Sequence, residues 1–350
     1  MREINGVNLI FHTIRLGGGM ERYVLDIISE LASRDIPVRV IARQVNWPGI
    51  KPDNVEFIVL SDRTPFARLN NDLFESRALK HICENWPTIG ISRVTGNVDI
   101  AISGGTHIGH LLDKGKKSPS YFHRRVIANE KMLYGNAKKI ITHSARVRNE
   151  IISHYSIASE KIETLYPPVD DRQFCLQARE GRDALRGQLG VKADQFLLLF
   201  PSNDHDRKGA GLIIESLTDF DSRIVLAVAG KTPLNHPSIL NLGFRRDMPA
   251  LYAASDAAIL ASEYEPFGLV GPESILCGTP VLLANTVGAV EVLSEPGCFS
   301  FSRSTVSLRI ALTKVLARFE KGNLNITDPA SSIQYPYSLS AHVDNLLERI

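Results

Sequence analysis

Residues 257–291 constrain the fold more than any other stretch of this 350-residue chain. Ala257, Ala258, Ile259 and Leu260 form an apolar run too short for a helix and read as a buried strand, and residues 280–284 read as another. A loop and a helix lie between them. Two strands joined through a helix by so short a connection pair in parallel, because a hairpin would bring the second strand back in the opposite direction. Ligands of open parallel sheets bind at the carboxyl ends of the strands, which is where the loop beginning at Ser262 falls. The amides of Phe267, Gly268, Leu269 and Val270 come ahead of the first helical turn and have no intrahelical acceptors, an arrangement suited to an anion. Glu265 before that turn and Glu273 within the helix would flank whatever carries the anion. A nucleotide sugar has that form, charged in the middle and hydroxyl-rich at both ends. Read alone, two carboxylates also fit the acid and base of a hydrolase.

The same alternation runs along the whole chain. Residues 7–11 read as a strand, and Gly17, Gly18 and Gly19 follow it. Met20, Tyr23, Val24, Ile27, Ile28 and Leu31 then carry the three-and-four spacing of a helix with one buried face. Further strands are expected at residues 37–42, 55–60, 100–103, 119–122, 139–142 and 162–166, with helices over 66–86 and 145–154. Pro167 and Pro168 break the pattern, and the charged segment 170–186 reads as a linker. A second series follows: strand 196–200, a helix from Gly211, strand 224–229, helix 248–254, the stretch described above, and helix 304–319. Residues 335–350 are helical after a proline- and serine-rich break and fold back onto the first domain. The expectation is an α/β protein with two Rossmann-like domains, residues 1–168 with 336–350 and residues 169–335.

Composition narrows the class. With 44% hydrophobic and 22% charged residues this is an ordinary globular chain. It has no apolar run long enough to cross a bilayer or act as a signal peptide, so a cytoplasmic location is expected. Cys83, Cys175, Cys277 and Cys298 are far apart, with no CxxC, and indicate neither a zinc site nor a disulfide framework. The net charge of +2 is a balance of a basic first half and an acidic second half. Residues 114–148 hold Lys114, Lys116, Lys117, Arg124, Arg125, Lys131, Lys138, Lys139, Arg146 and Arg148 against one acid, Glu130. Such a run is either a solvated face or a surface for phosphate groups or the inner, anionic face of a membrane. No recognised module accompanies it, so nucleic acid is not an expected partner.

Three further clusters bear on chemistry. The glycines Gly17, Gly18 and Gly19 let backbone approach a phosphate or sugar, yet they are no GxGxxG, since the third glycine position holds Arg22. Arg207 and Lys208 lie on the loop after strand 196–200, placed to neutralise a departing diphosphate. The neighbouring Asp204-His205-Asp206 imitates a DxD metal motif, but a divalent ion there would crowd two cations, so no metal is expected. His123 ends the expected strand 119–122 and would position a sugar hydroxyl or the acceptor; His107 competes for that role.

These residues resemble the retaining nucleotide-sugar glycosyltransferases of family 4, which have the GT-B fold of two Rossmann-like domains facing each other across a cleft. The E-x7-E motif stands as Glu265 to Glu273 within EPFGLVGPE, followed by Gly278-Thr279-Pro280-Val281, with GGGMER, Lys208-Gly209 and GF....LYAASDA elsewhere. Within the family the lipopolysaccharide-core hexosyltransferases are most similar. The resemblance implies that Lys208 and Arg207 hold the donor diphosphate and that the glycine loop faces it. It also implies that Glu265 contacts the transferred sugar and Glu273 the ribose, that Arg245 lies beside the base, and that His123 is near the transferred sugar. The implied donor is a UDP-sugar with no further cofactor, and the implied acceptor a glycan or glycolipid bound by the first domain. Ser202-Asn203 replaces the family's Gly-Arg, and Val287 replaces the first glycine of Gly-Gly-x-x-Glu. A same-fold epimerase or a non-catalytic nucleotide-sugar-binding scaffold are the alternatives.

Overall fold

The apolar runs assemble, in a computed structural model that describes residues 4–115, 118–237 and 239–350, into two parallel sheets. The chain divides correspondingly into two units, Met1–Pro168 with Pro336–Ile350 and Val169–Tyr335.

In the first unit the strands are β1 (Val7–Ile10), β2 (Thr13–Ile14), β3 (Val38–Ala42), β4 (Gln44–Val45), β5 (Val55–Val59), β6 (Thr88–Gly90), β7 (Val98–Ser103), β8 (Ala137–Thr142) and β9 (Ile162–Thr164). Among the described residues seven of them form one sheet in the order β5-β3-β1-β6-β7-β8-β9, while β2 and β4 make a separate ribbon. Helix α1 (Gly19–Ser33) buries Tyr23, Val24, Ile27, Ile28 and Leu31 on one face, as its spacing predicts. The same core takes in Val343 and Leu346 of the last helix, Leu339–Leu347. On the other face, α2 (Ala67–Glu75), α4 (Tyr121–Asn136) and α5 (Ala145–Tyr155) contribute Phe74, Leu133, Tyr134, Val147 and Ile151, and α3 (His107–Asp113) follows β7.

Two expectations are corrected here. Residues 119–122 are not a strand: Ser120 caps α4, its hydroxyl accepting the His123 amide at 3.4 Å, and Tyr121 and Phe122 stand exposed on the first turn. Two aromatic residues after a proline are no match for a serine cap three residues ahead of an open amide. Nor is 66–86 one helix. The buried Asn8 side chain accepts the Cys83 amide at 2.8 Å and donates to the Cys83 and Trp86 carbonyls at 2.9 Å each, drawing this segment out of helical geometry toward β6.

The second unit carries β10 (Phe196–Pro201), β11 (Ile224–Ala229), β12 (Ile239–Gly243), β13 (Ala257–Leu260), β14 (Val281–Ala284) and β15 (Cys298–Phe301), ordered β12-β11-β10-β13-β14-β15 and all parallel. Helices α6 (Arg182–Gln188), α7 (Ala210–Leu217), α8 (Met248–Ala254), α9 (Val270–Leu276) and α10 (Thr305–Glu320) cover it, and α11 is the Leu339–Leu347 helix of the first unit. The charged segment 170–186 is not a free linker. Asp256, buried at the start of β13, binds Arg182 and, at 2.9 Å, Arg186, and also accepts the Leu197 amide at 2.7 Å. Charges that read as solvated are buried in pairs, where each needs the other.

Candidate donor site and strand-end residues

In the second unit the loops after β10 and β13 meet at one place. Gly209 makes this possible: it has φ +80°, and a Cβ there would lie 2.2 Å from the Ala261 carbonyl oxygen. Only glycine allows the first loop to lie against the end of β13, where the Ala261 amide donates to the Lys208 carbonyl at 3.3 Å. Lys208 and Arg207 are thereby brought beside the loop of Glu265. The Arg207 guanidinium contacts Glu265 Oε2 at 3.2 Å and the Tyr264 carbonyl at 3.3 Å. Burial pushes the Lys208 ammonium below its ordinary range; Glu265, Glu273 and Asp204 pull the other way, and Arg207 adds to the fall. Among the described residues that ammonium has no hydrogen-bond or ion-pair partner, an uncommon state for a half-buried charge.

Glu273 lies in the first turns of α9, and the buried Tyr252 hydroxyl donates to its Oε2 at 3.0 Å. Pro272 is tolerated because α9 starts at Val270, which puts the proline in the first turn. Gly268 has φ +93°, and a Cβ on it would come within 2.7 Å of Val287 Cγ1. Val287, where the family has glycine, thus packs over this turn. Beside it, Gly288 donates to the Glu265 carbonyl at 3.0 Å and Ala289 to the Phe267 carbonyl at 2.7 Å. Leu269 precedes α9 as its cap residue. Ser202 and Asn203 also have structural partners: the Ser202 hydroxyl meets His205 Nδ1 at 2.9 Å, and Asn203 Oδ1 accepts the Lys231 amide at 2.8 Å. His205 Nε2 contacts the Thr232 carbonyl at 2.9 Å, so both of its ring nitrogens are engaged. Arg245 is gripped by Asp247, with contacts of 2.8 and 2.5 Å.

The remaining candidates lie in the first unit. Gly18 is the cap of α1, and its amide is taken by Glu21 Oε2 at 3.0 Å, while Arg15 holds the other oxygen at 3.3 Å. Gly17 lies over that carboxylate, and a Cβ on Gly19 would meet nothing. His123 and His107, rivals in the sequence, are partners in the structure: Nε2 of His107 lies 2.9 Å from Nδ1 of His123. Sequence reasoning missed this pairing, and it missed Tyr252 and the strand-end group in which His12 meets Ser92 at 2.8 Å and Glu75 at 3.0 Å. No spacing rule links those positions.

The charge run 114–148 does not form one cationic face. Arg125 pairs with Asp72, Lys138 with Asp99, Lys139 with Glu163 and Arg146 with Glu150. Arg148 donates to the Ile162 and Ser159 carbonyls. Lys116 and Lys117 lie outside the described residues. Lys114, Arg124 and Lys131 are exposed without a partner among those described.

Two parallel α/β units of this kind define the GT-B class of sugar-transferring enzymes. The structure of WaaG, a glycosyltransferase involved in lipopolysaccharide biosynthesis, matches with a TM-score of 0.75 over 98% of this chain and 95% of that one, at 18% identity. Anabaena HepE in complex with UDP and glucose gives 0.74 over 98% of each chain, at 17% identity. The pattern of Glycosyltransferase Family 4 matches residues 17–173, and that of the Glycosyl transferases group 1 matches residues 181–298. A probable transglycosylase of Burkholderia thailandensis is 34% identical over 352 residues, 98% of this chain and 96% of that protein. The lipopolysaccharide glucosyltransferase WaaG of Escherichia coli K12 is 24% identical over 327 residues, 85% and 87% of the two chains. The chain belongs to glycosyltransferase family 4.

Proposed function

We propose that this glycosyltransferase moves a hexose, with retention, from a UDP-sugar to a hydroxyl of a saccharide or lipid-linked saccharide in cell-envelope glycan synthesis. The observation that carries this reading is Lys208, a desolvated ammonium without a partner among the described residues, beside the Arg207–Glu265 pair and within the field of Glu273. Such a cation is set to receive a diphosphate. As the bond between the sugar carbon and the phosphate oxygen breaks, its electron pair stays on that oxygen. Lys208 and Arg207 take up the charge, with the amides of Phe267, Gly268, Leu269 and Val270 adding to them. Arg207 can turn from Glu265 to the phosphate, leaving the Glu265 carboxylate to accept from sugar hydroxyls. Glu273, already oriented by Tyr252, accepts from the ribose, and Arg245 lies by the base. Within the first unit, Gly17 and Gly19 leave their backbone open to a sugar or phosphate while Glu21 holds the Gly18 amide, and His123 is proposed as a sugar contact. Two cations supply the charge that a metal supplies elsewhere, so the reaction proceeds without one.

Solved HepE holds UDP and glucose, and WaaG is named a lipopolysaccharide glucosyltransferase, which supports the choice of donor and acceptor class. Val287, Ser202 and Asn203 depart from the family pattern but have packing or hydrogen-bonding roles, which weighs against the scaffold alternative. Peripheral attachment to anionic lipid, on the inner face of the membrane, rests on Lys114 and Arg124 with the exposed Phe66, Tyr121 and Phe122 rather than on the whole charge run. The deciding experiment is a thermal-shift screen against nucleoside diphosphate sugars, followed by product analysis with the best donor, saccharide acceptors and excess EDTA. Transfer in EDTA to a product of unchanged anomeric configuration is expected. Donor isomerised without acceptor would make the protein an epimerase, and binding without turnover a scaffold.

A further inference from the structure

The first unit pairs two imidazoles whose nitrogens can share only one hydrogen. His107 is the first residue of α3, held there by Thr106, whose hydroxyl accepts the Gly109 amide at 3.0 Å, and by Glu130, which accepts the His107 amide at 3.0 Å. His123 lies in the first turn of α4, fixed by the Ser120 cap. The backbone of both residues is therefore anchored, and their rings stand with 2.9 Å between Nε2 of His107 and Nδ1 of His123. At that distance two bare nitrogens repel, as do two N–H groups, so one ring donates and the other accepts. Two neutral arrangements satisfy this: both rings protonated at Nε2, or both at Nδ1. The first puts each ring in the tautomer that free imidazole side chains favour.

We infer that His107 is a positioning residue: by donating from Nε2 to Nδ1 of His123, it holds His123 with its hydrogen on Nε2, ready to donate to a sugar hydroxyl or phosphate oxygen. Among the described residues His123 Nε2 has no partner of its own. The surroundings keep His107 neutral for this task. Burial, then His123, Arg93 and His110, push its pKa down to about 4, while Glu130 faces its backbone. A doubly protonated pair would place two cations in contact, so the dyad carries at most one added proton. The inference rests on the reading of His123 as a sugar contact only for its effect on catalysis; the tautomer rests on the geometry of the pair together with the ordinary preference of an imidazole side chain for hydrogen on Nε2.

The test uses the full chain labelled with 15N-histidine. Wild-type protein at neutral pH is expected to show His123 protonated at Nε2. In His107→Leu the His123 signals should shift to a mixture of tautomers, and in His107→Gln, whose side-chain amide can donate to the same nitrogen, they should return. In transfer assays His107→Leu should lower kcat roughly 2- to 10-fold, the factor that goes with one lost neutral hydrogen bond, with the donor KM unchanged, and His107→Gln should recover it. Nδ1 protonation in the wild type, or a His123 tautomer indifferent to His107→Leu, overturns the inference. The wild-type spectrum needs no variant to fold. If the wild type turns over no nucleotide sugar, the donor reading fails while the spectra still decide the dyad.

Discussion

A lysine ammonium half out of water, with no acceptor of its own, is costly unless something anionic completes it. Lys208 is in that position, and its neighbours do not relieve it, because Arg207 has already claimed Glu265. Removing the charge should therefore act on the reaction more than on folding. Lys208→Ala is expected to lower turnover roughly 100- to 1000-fold, the loss that follows removal of one strong transition-state donor, with the thermal midpoint little changed or raised. Near-normal turnover with every donor would remove Lys208 from the mechanism. At this scale the sequence was informative about which residues of the second unit the fold brings together. Arg207, Lys208 and Glu265 converge because they lie on the loops that follow β10 and β13, and Glu273 joins them from the first turns of α9, which the second of those loops leads into. It was uninformative about who holds whom. That Tyr252 orients Glu273, and that His107 and His123 share a hydrogen, depend on contacts between residues with no fixed spacing.

At the scale of elements, most helices were located by buried faces that repeat at 3.6 residues, and most strands as short continuous apolar runs, because strands of a parallel sheet are buried on both faces. Pattern failed where one side chain decided the outcome: Ser120, which turns 119–122 into a helix start, and Asn8, which holds Cys83 and Trp86 outside any helix, well beyond the end of α2 at Glu75. The strands β6, β12 and β15 were missed because a short run of residues carries little pattern. The corrected start of α4 also changes where the molecule can touch a surface. Tyr121 and Phe122 are exposed on its first turn, Arg68 of α2 lies 5.0 Å over the Phe122 ring, and Phe66 and Arg124 are exposed nearby. Liposome sedimentation should show binding to anionic vesicles at low salt that weakens several-fold by physiological salt and falls further in Tyr121→Ser/Phe122→Ser. No sedimentation at low salt would leave a soluble acceptor as the better reading.

Across the whole molecule, the formal charge says little, because much of the basic run is paired with acids distant in sequence. Buried histidines say more. His143 packs edge-on against Tyr23, at 4.6 Å between ring centroids, and its Nε2 has no partner among the described residues. His342 of α11 meets the Tyr23 hydroxyl at 2.8 Å and the Tyr166 carbonyl at 3.1 Å. Burial holds both neutral, pushing His143 down to a pKa of about 4 and His342 to about 3. Their folded pKa values lie below the unfolded 6.5, so the unfolded chain binds protons first as pH falls. The stability these two groups contribute is thus full above about pH 6.5 and is lost progressively toward about pH 4 for His143 and about pH 3 for His342. Each pH unit by which folding lowers a pKa corresponds to roughly 1.4 kcal/mol, so His143 alone would remove on the order of 3 kcal/mol. Urea midpoints between neutral pH and the folded pKa of His143 check this, and His143→Phe should flatten the decline; an unchanged slope in that variant would rule His143 out.

Helix α11 belongs to the unit whose other residues were all translated before Val169. On the ribosome the first 168 residues therefore emerge without the helix that covers Tyr23 and supplies Val343 and Leu346 to their core. The second unit, continuous in sequence, has its complete set of strands and helices before the first does. The half that is translated first is thus the last to have its full set of elements available.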